Sequence, residues 1–279
     1  MNTRHDQFRE HGFVVLAREI AGPDRAALEQ EYARLATEAE NELLRRAQGR
    51  AGSGSALIAV AEADDPRQLC RFEYLAGSSV HIRQVLVPRL AALIARMIGE
   101  PVLLFKDKCN LKRPGGGAFR PHQDVTAYRH FKTRYQVTAA IALDGADRTN
   151  GALEMAETWN ATPPGIPAVV TPRGELAILP SYDGGRRNGD IVDEYAAAIG
   201  WRLIDAQPGD VILFDSYVPH RSGVNRSGAT RRVLFFTFNP ASEGDLYEIY
   251  YGEKRCKPTN PIFHVSTPTV HSGLNAPTE

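Results

Sequence analysis

Paired cysteines are missing from this chain of 279 residues. It has only Cys70, Cys109 and Cys256, scattered and odd in number, and no CxxC occurs. That pattern argues against a disulfide framework and a zinc ribbon, and it fits the reduced thiols of a cytoplasmic protein. Charge of either sign is not in excess. Lys+Arg and Asp+Glu are both 33, whereas a nucleic-acid binder carries a basic surplus. No stretch approaches the ~18 consecutive apolar residues of a membrane span. The polar opening, residues 1–10, lacks the apolar segment of a signal peptide. No internal repeat and no low-complexity tract is visible.

What is present is ordinary globular material, 43% hydrophobic and 24% charged, long enough for one sizeable core. Helices are predicted to dominate the first hundred residues. A short one covers 5–10. A longer one opens at Gly22-Pro23-Asp24 and carries the stripe Leu28, Tyr32, Leu35, Ala39, Leu43. Residues 80–98 read as a helical pattern kinked or split at Pro88. Between them, 48–56 reads as a mobile loop, and 68–75 as a strand or turn bearing Arg71 and Tyr74.

After Pro101 the pattern changes to period two. Strands are expected at 102–112, 136–143, 152–156, 202–206, 210–214 and 231–238, besides a short one at 13–16. Thr149-Asn150-Gly151 predicts a hairpin turn between two of them. In this half only 190–199 reads as helix. Many short strands separated by turns predict a sandwich or barrel, not a doubly wound sheet.

The residues with chemistry lie in this second half. His122-Gln123-Asp124 follows a strand and the flexible loop Pro114–Gly117, which reads as a loop that opens and closes near a site. It is not a phosphate loop, because no Gly-Lys-Ser/Thr follows. With 8 histidines and 15 aspartates, His-x-Asp arises by chance roughly 0.4 times in such a chain, so its context carries the argument. At period two His122 and Asp124 share one face of a strand. Further on, His220 and Arg231 are predicted to face each other across a hairpin-like pair. Two imidazoles and a carboxylate are a set that holds Fe(II) on one side and leaves the other open. The plainer alternatives are a hydrogen-bonded core histidine at 220 and a surface ion pair at Arg231. Adjacent Arg232 competes with Arg231, and only one of the two can point inward. His5, His11, His81, His130, His264 and His271 show no spacing for a second metal.

Several runs together resemble the phytanoyl-CoA dioxygenase superfamily of Fe(II)- and 2-oxoglutarate-dependent oxygenases. They are Lys112-Arg-Pro-Gly-Gly-Gly-Ala-Phe-Arg-Pro-His122-Gln-Asp124, Asn150-Gly-Ala-Leu-Glu154, Gly209-Asp-Val-Ile-Leu-Phe214, His220-Arg-Ser-Gly-Val-Asn225 and Arg231. The resemblance covers about residues 10–240. It implies a mainly β fold, a double-stranded β-helix (a jelly-roll, cupin-like barrel) with N-terminal α-helices. One oxygenase domain over 1–279 is then expected, with a mainly helical flank at 1–100, the barrel at 101–240 and a C-terminal extension at 241–279. His122, Asp124 and His220 match the metal triad. Arg231, eleven residues after His220, matches the arginine that holds the far carboxylate of 2-oxoglutarate. Ser222 and Asn110 match further cosubstrate contacts. Cofactors implied are Fe(II), 2-oxoglutarate and dioxygen, with succinate and CO2 as co-products of hydroxylation. Asp124 argues against a halogenase, which leaves that position vacant.

One departure matters. Relatives often continue Asn-Gly-Ala-Leu with Pro-Gly-Ser-His, whereas this chain reads Met155-Ala-Glu-Thr-Trp-Asn-Ala-Thr. Phytanoyl-CoA is therefore not carried over as substrate. The glycine-rich approach to His122 and the tail, Tyr250-Tyr-Gly-Glu-Lys with Phe263-His-Val-Ser-Thr-Pro-Thr, resemble the bacterial branch that includes aminoethylphosphonate hydroxylases. Lys106, Lys108 and Asn110 share one strand face. Pointed inward, Lys108 suits an anionic head group, with Arg71 and Tyr128 beside it; pointed outward, it belongs to a solvated face. Three readings stand: a 2-oxoglutarate-dependent hydroxylase of a small polar metabolite, with neither nucleic-acid nor membrane partner; a cupin-type hydrolase or isomerase without 2-oxoglutarate; and a non-catalytic binding barrel.

Overall fold

The computed structural model describes residues 3–62, 65–159, 165, 166, 168–258, 260 and 263. Residues 160–162 of the departing segment, His264, His271 and most of the expected C-terminal extension lie outside the described residues.

Helix α1 (Arg4–His11) leads into strand β1 (Phe13–Leu16), and the long helix α2 (Gly22–Ala47) follows with proline in its first turn. Leu28, Leu35, Ala39 and Leu43 of the expected stripe are buried, and α2 packs on β2 (Ile58–Ala61) and β3 (Leu69–Glu73). After the short α3 (Leu75–Ser78), a π-helical turn at Ile82–Leu86 runs directly into α4 (Val87–Ile98). Pro88 thus sits at the start of the regular helix, and the wider turn precedes it.

The remaining elements are β4 (Val102–Lys112), β5 (Phe119–His122), α5 (Val125–Tyr128), β6 (Val137–Ala142), β7 (Leu153–Thr158), β8 (Ala168–Thr171) and β9 (Gly174–Ala177). They are followed by α6 (Asp193–Ala197), β10 (Gly200–Leu203), β11 (Val211–Asp215), β12 (His220–Ser222), β13 (Arg231–Pro240) and α7 (Tyr247–Cys256). Seven strands pair in the order β1-β11-β6-β13-β4-β3-β2, four in the order β10-β7-β12-β5, and β8 pairs with β9. All these pairings are antiparallel. The result is a jelly roll. Its interior strand β6 is buried at every position and half alanine, which admits side chains from both layers.

The mainly helical first hundred residues also supply β1, β2 and β3 to the seven-stranded sheet. Three expectations change. Thr149-Asn150-Gly151 does not close a hairpin. It lies in a loop joining β6 of one sheet to β7 of the other, shaped by Asp147, whose carboxylate accepts from the N–H of Thr149 and Asn150. The helix expected over 190–199 shrinks to Asp193–Ala197, while α5 and α7 were not foreseen. The Pro114–Gly117 loop is fastened rather than loose: Gly115 N donates to Asn225 O at 2.8 Å and Asn225 N to Gly116 O at 3.1 Å.

Candidate metal centre

His122 ends β5 and His220 begins β12, and the two are direct partners across this antiparallel pair. Their ring centroids lie 4.2 Å apart. Asp124 arrives differently from the period-two expectation. It has left the strand and takes helical dihedrals (φ −61°, ψ −30°) ahead of α5. A turn, not the pleat, brings its carboxylate round. One ligand atom from each of His122, Asp124 and His220 then lies within 4.8 Å of the others, the one such group of three metal-ligating side chains among the described residues.

The two imidazoles are oriented alike. His122 Nδ1 is 2.8 Å from Arg120 O and His220 Nδ1 is 3.0 Å from Val218 O. A carbonyl only accepts, so each Nδ1 carries the proton and each Nε2 lone pair is left for a metal. Burial, with His220 nearby, pushes His122 down to about 3, which keeps the ring neutral. Burial opposes ionisation of Asp124, but His220, Lys106 and His122 hold its carboxyl well below the usual carboxylate range. Two neutral imidazoles and one carboxylate so arranged fit a non-haem Fe(II) ion with open positions.

Three supporting residues had no sequence signal beyond position. Gln123 is fully buried; its Nε2 donates to Ala177 O and Tyr217 O, and its Oε1 accepts from Leu179 N. Asp215 accepts from Tyr217 N at 2.9 Å and Val218 N at 3.1 Å, shaping the turn that delivers His220. Arg173 pairs with Asp215 from the loop between β8 and β9.

His220 and Arg231 do not form a hairpin, since β12 belongs to the four-stranded sheet and β13 to the seven-stranded one. The adjacent arginines separate as pleating requires. Arg231 turns inward and is buried, whereas Arg232 pairs outward with Glu29 and Asp144. Arg231 donates to Gly151 O at 2.6 Å, and its Nε is buried without an acceptor among the described residues. Gly151 is needed there: its φ is +73°, and a Cβ would meet Gly223 O at 2.3 Å. Ser222 is buried and accepts from Lys112 Nζ at 2.7 Å. Lys112 was not among the expected site residues. Asn110 Oδ1, on the same face of β4, is also buried without a partner among the described residues.

Lys106 and Lys108 are half-buried on one face of β4, and the Asp124 carboxylate favours the charged form of each. Lys106 Nζ lies 4.3 Å over the buried ring of Tyr128, and burial plus Lys108 bring it down to about 7. Arg71 lies across from Asn110, and Glu73 across from Lys108, on β3. Glu73 pairs with Arg71 at 2.8 Å and with Lys254 of α7 at 2.7 Å. Arg71 and Lys108 thus lie on the adjacent strands β3 and β4, and Tyr128 ends α5, which follows Asp124.

A family model described as phytanoyl-CoA dioxygenase (PhyH) matches residues 8–233. The chain belongs to the phytanoyl-CoA dioxygenase family. Among curated relatives, this family member is 38% identical to a methylphosphonate hydroxylase of Gimesia maris over 186 residues, 66% of this chain and 64% of that protein. It is 34% identical to a 2-aminoethylphosphonate dioxygenase of an uncultured bacterium (HF130_AEPn_1) over 192 residues, 68% of this chain and 66% of that protein. The match thus spans just under two thirds of the length of each. Among solved structures, EctD from S. alaskensis with bound Fe shares the fold at a TM-score of 0.59 and 20% identity, covering 86% of this chain and 76% of that one. EvdO2 from Micromonospora carbonacea var. aurantiaca, complexed with 2-oxoglutarate, does so at 0.57 and 18%, covering 85% and 90%. No helix among the described residues is long and apolar enough to cross a membrane.

Proposed function

We propose that this phytanoyl-CoA dioxygenase family member is an Fe(II)- and 2-oxoglutarate-dependent hydroxylase of a small phosphonate. The observation that carries the reading is the convergence of His122, Asp124 and His220 within 4.8 Å, in a barrel whose buried Arg231 has no carboxylate partner among the described residues. Iron(II) with 2-oxoglutarate and dioxygen supplies the oxidising power: one oxygen atom enters an unactivated C–H as hydroxyl, and the other leaves in succinate as CO2 is lost.

The chain's own residues do the rest. His122, Asp124 and His220 hold the metal through two Nε2 atoms and one carboxylate oxygen. Arg231 grips the far carboxylate of the cosubstrate by a charge-assisted fork, with Ser222 and Asn110 as further contacts. Phe214, 5.0 Å from the His220 ring, keeps water from that side. Lys108, Arg71 and Tyr128 form the substrate wall, and Lys106 joins them.

Charge on that wall supports a phosphonate. Arg71 and Lys254 share Glu73, and the other acid acting on Lys106 and Lys108 is Asp124, which the metal would occupy. With Asp124 committed to the metal, the basic groups on this wall outnumber its one remaining acid, Glu73, and that positive surplus complements a doubly charged head group better than a single carboxylate. The names of the two curated relatives point the same way.

The test is aerobic incubation of the iron-loaded protein with 2-oxoglutarate and either methylphosphonate or 2-aminoethylphosphonate. The expected result is phosphonate-stimulated succinate and a product heavier by one oxygen atom. Succinate at background with every phosphonate, and no 2-oxoglutarate-dependent absorbance in the anaerobic iron-loaded protein, would overturn the reading.

A further inference from the structure

We infer that Lys112 is a second cationic anchor for the far carboxylate of the cosubstrate, acting beside Arg231. This rests on the 2-oxoglutarate reading above and adds to it a residue that the sequence pattern did not single out.

Lys112 ends β4 and is the direct cross-strand partner of Arg231, the first residue of β13. Both are about 5% exposed. Like charges directly opposite on antiparallel strands repel, and burying a cation is costly unless an anion meets it. No carboxylate among the described residues pairs with either. The ion pairs nearest in sequence, those of Arg232, use Asp144 and Glu29 on the outer side. Among the described residues Lys112 Nζ donates to two neutral oxygens, Ser222 Oγ at 2.7 Å and Gly223 O at 2.6 Å, and lies 5.3 Å over the Phe119 ring. An ammonium has three N–H donors, so one remains for a ligand. Arg231 spends one nitrogen on Gly151 O and keeps a buried Nε–H without an acceptor among the described residues.

Two buried basic side chains with unspent donors, neither in an ion pair among the described residues, suit an anion that comes from outside. The lysine also determines which way Ser222 points. Because Ser222 Oγ accepts from Lys112, its own proton is free to donate into the pocket. A carboxylate there would receive hydrogen bonds from Arg231, Lys112 and Ser222 together. This places the charge selectivity of the cosubstrate end on two strands, β4 and β13, rather than on Arg231 alone.

The experiment compares 2-oxoglutarate with 2-oxopentanoate, which keeps the keto acid but ends in a methyl group. Both are titrated anaerobically into the full-length, Fe(II)-loaded protein, and binding is read from the charge-transfer absorbance. The variants are Lys112→Met and Lys112→Gln; the glutamine keeps an N–H donor on a side chain one atom shorter but carries no charge. The expected result is that both weaken 2-oxoglutarate binding about tenfold or more, while 2-oxopentanoate binding stays within about twofold of wild type. Equal weakening of both compounds would reduce Lys112 to a structural part and overturn the inference. Unchanged 2-oxoglutarate affinity in either variant, glutamine included, would also overturn it, because the charge would then be dispensable. A wild-type protein that gives no 2-oxoglutarate band would instead overturn the cosubstrate reading, and this inference with it.

Discussion

The side-chain amide of Gln123 donates to the backbone carbonyl of Tyr217, three residues before His220. The residue between two metal-ligand positions is thereby fastened to the turn that delivers the third. Two further bonds, to Ala177 O and from Leu179 N, tie the same side chain to the chain after β9. Gln123→Leu leaves these buried partners unpaired. It is expected to lower Fe(II) affinity about 10- to 100-fold, the usual cost of losing an outer-shell partner, and to destabilise the fold by about 1–3 kcal/mol. Metal titration and denaturant unfolding check both. Wild-type metal affinity in the variant would show that the triad holds its geometry without this brace.

Adjacent arginines should separate cleanly in function. Arg231→Met removes a buried charged donor and is expected to weaken 2-oxoglutarate binding by at least about thirtyfold while sparing iron uptake. Arg232→Met loses partly exposed pairs with Glu29 and Asp144. It should cost about 1 kcal/mol of stability and leave cosubstrate affinity alone. Anaerobic titration with 2-oxoglutarate, run beside unfolding curves, distinguishes the two. The opposite pattern would move the carboxylate to the outer face.

Substrate recognition is expected to depend on Lys106 and Lys108 separately from cosubstrate binding. Lys106→Met and Lys108→Met should each raise KM for the phosphonate about tenfold or more, with 2-oxoglutarate affinity kept. Steady-state succinate formation against phosphonate concentration measures this. Unchanged KM in both variants would place the head group on another wall.

Acid should loosen the contact between β3 and α7. Burial alone would raise the Glu73 pKa, but Lys254 and Arg71 outweigh burial and bring it from 4.5 down to about 2. A carboxyl depressed on folding stabilises fully above its unfolded pKa and loses that contribution as pH falls through the folded one. Unfolding free energy should therefore decline between pH 4.5 and about 2, and Glu73→Gln should flatten the curve in that window. Lys254→Met, which strands a buried carboxylate, should cost about 3–5 kcal/mol near neutral pH. A pH profile of Glu73→Gln that parallels wild type throughout this range would show that the pair carries no such linkage.

Much of the barrel was readable because strand alternation and turn chemistry are local. The apolar run 102–105 and the alternation over 106–112 together match β4 in full, and the apolar run before Asp215 matches β11. Local pattern failed where pairing partners decide the outcome. Asn150-Gly151 carries a strong hairpin signal, yet Asp147 captures the neighbouring N–H groups and the chain crosses to the other sheet. The short strand β2 was missed because four residues show too little periodicity to stand out, and the strand expected at His122–Asp124 ends at His122. At the candidate site, His122 and His220 were picked out by residue type and spacing and Arg231 over Arg232 by the family resemblance, whereas Gln123, Asp215, Arg173 and Lys112 were not. Nothing in a lone glutamine or lysine announces which distant carbonyl it will meet.

The sequence by itself determined the donor types, the order in which they occur along the chain, and the strand on which Lys106, Lys108, Asn110 and Lys112 alternate. It also carried the family pattern. Only the tertiary structure decided which face of that strand is inside, that Asp124 reaches the imidazoles from a turn, and that Lys112 stands opposite Arg231, 119 positions further along the chain. The physical reason is that periodicity constrains dihedral angles and which side chains share a face. Inside and outside are set by the sheet packed on that face, whose strands come from far along the chain.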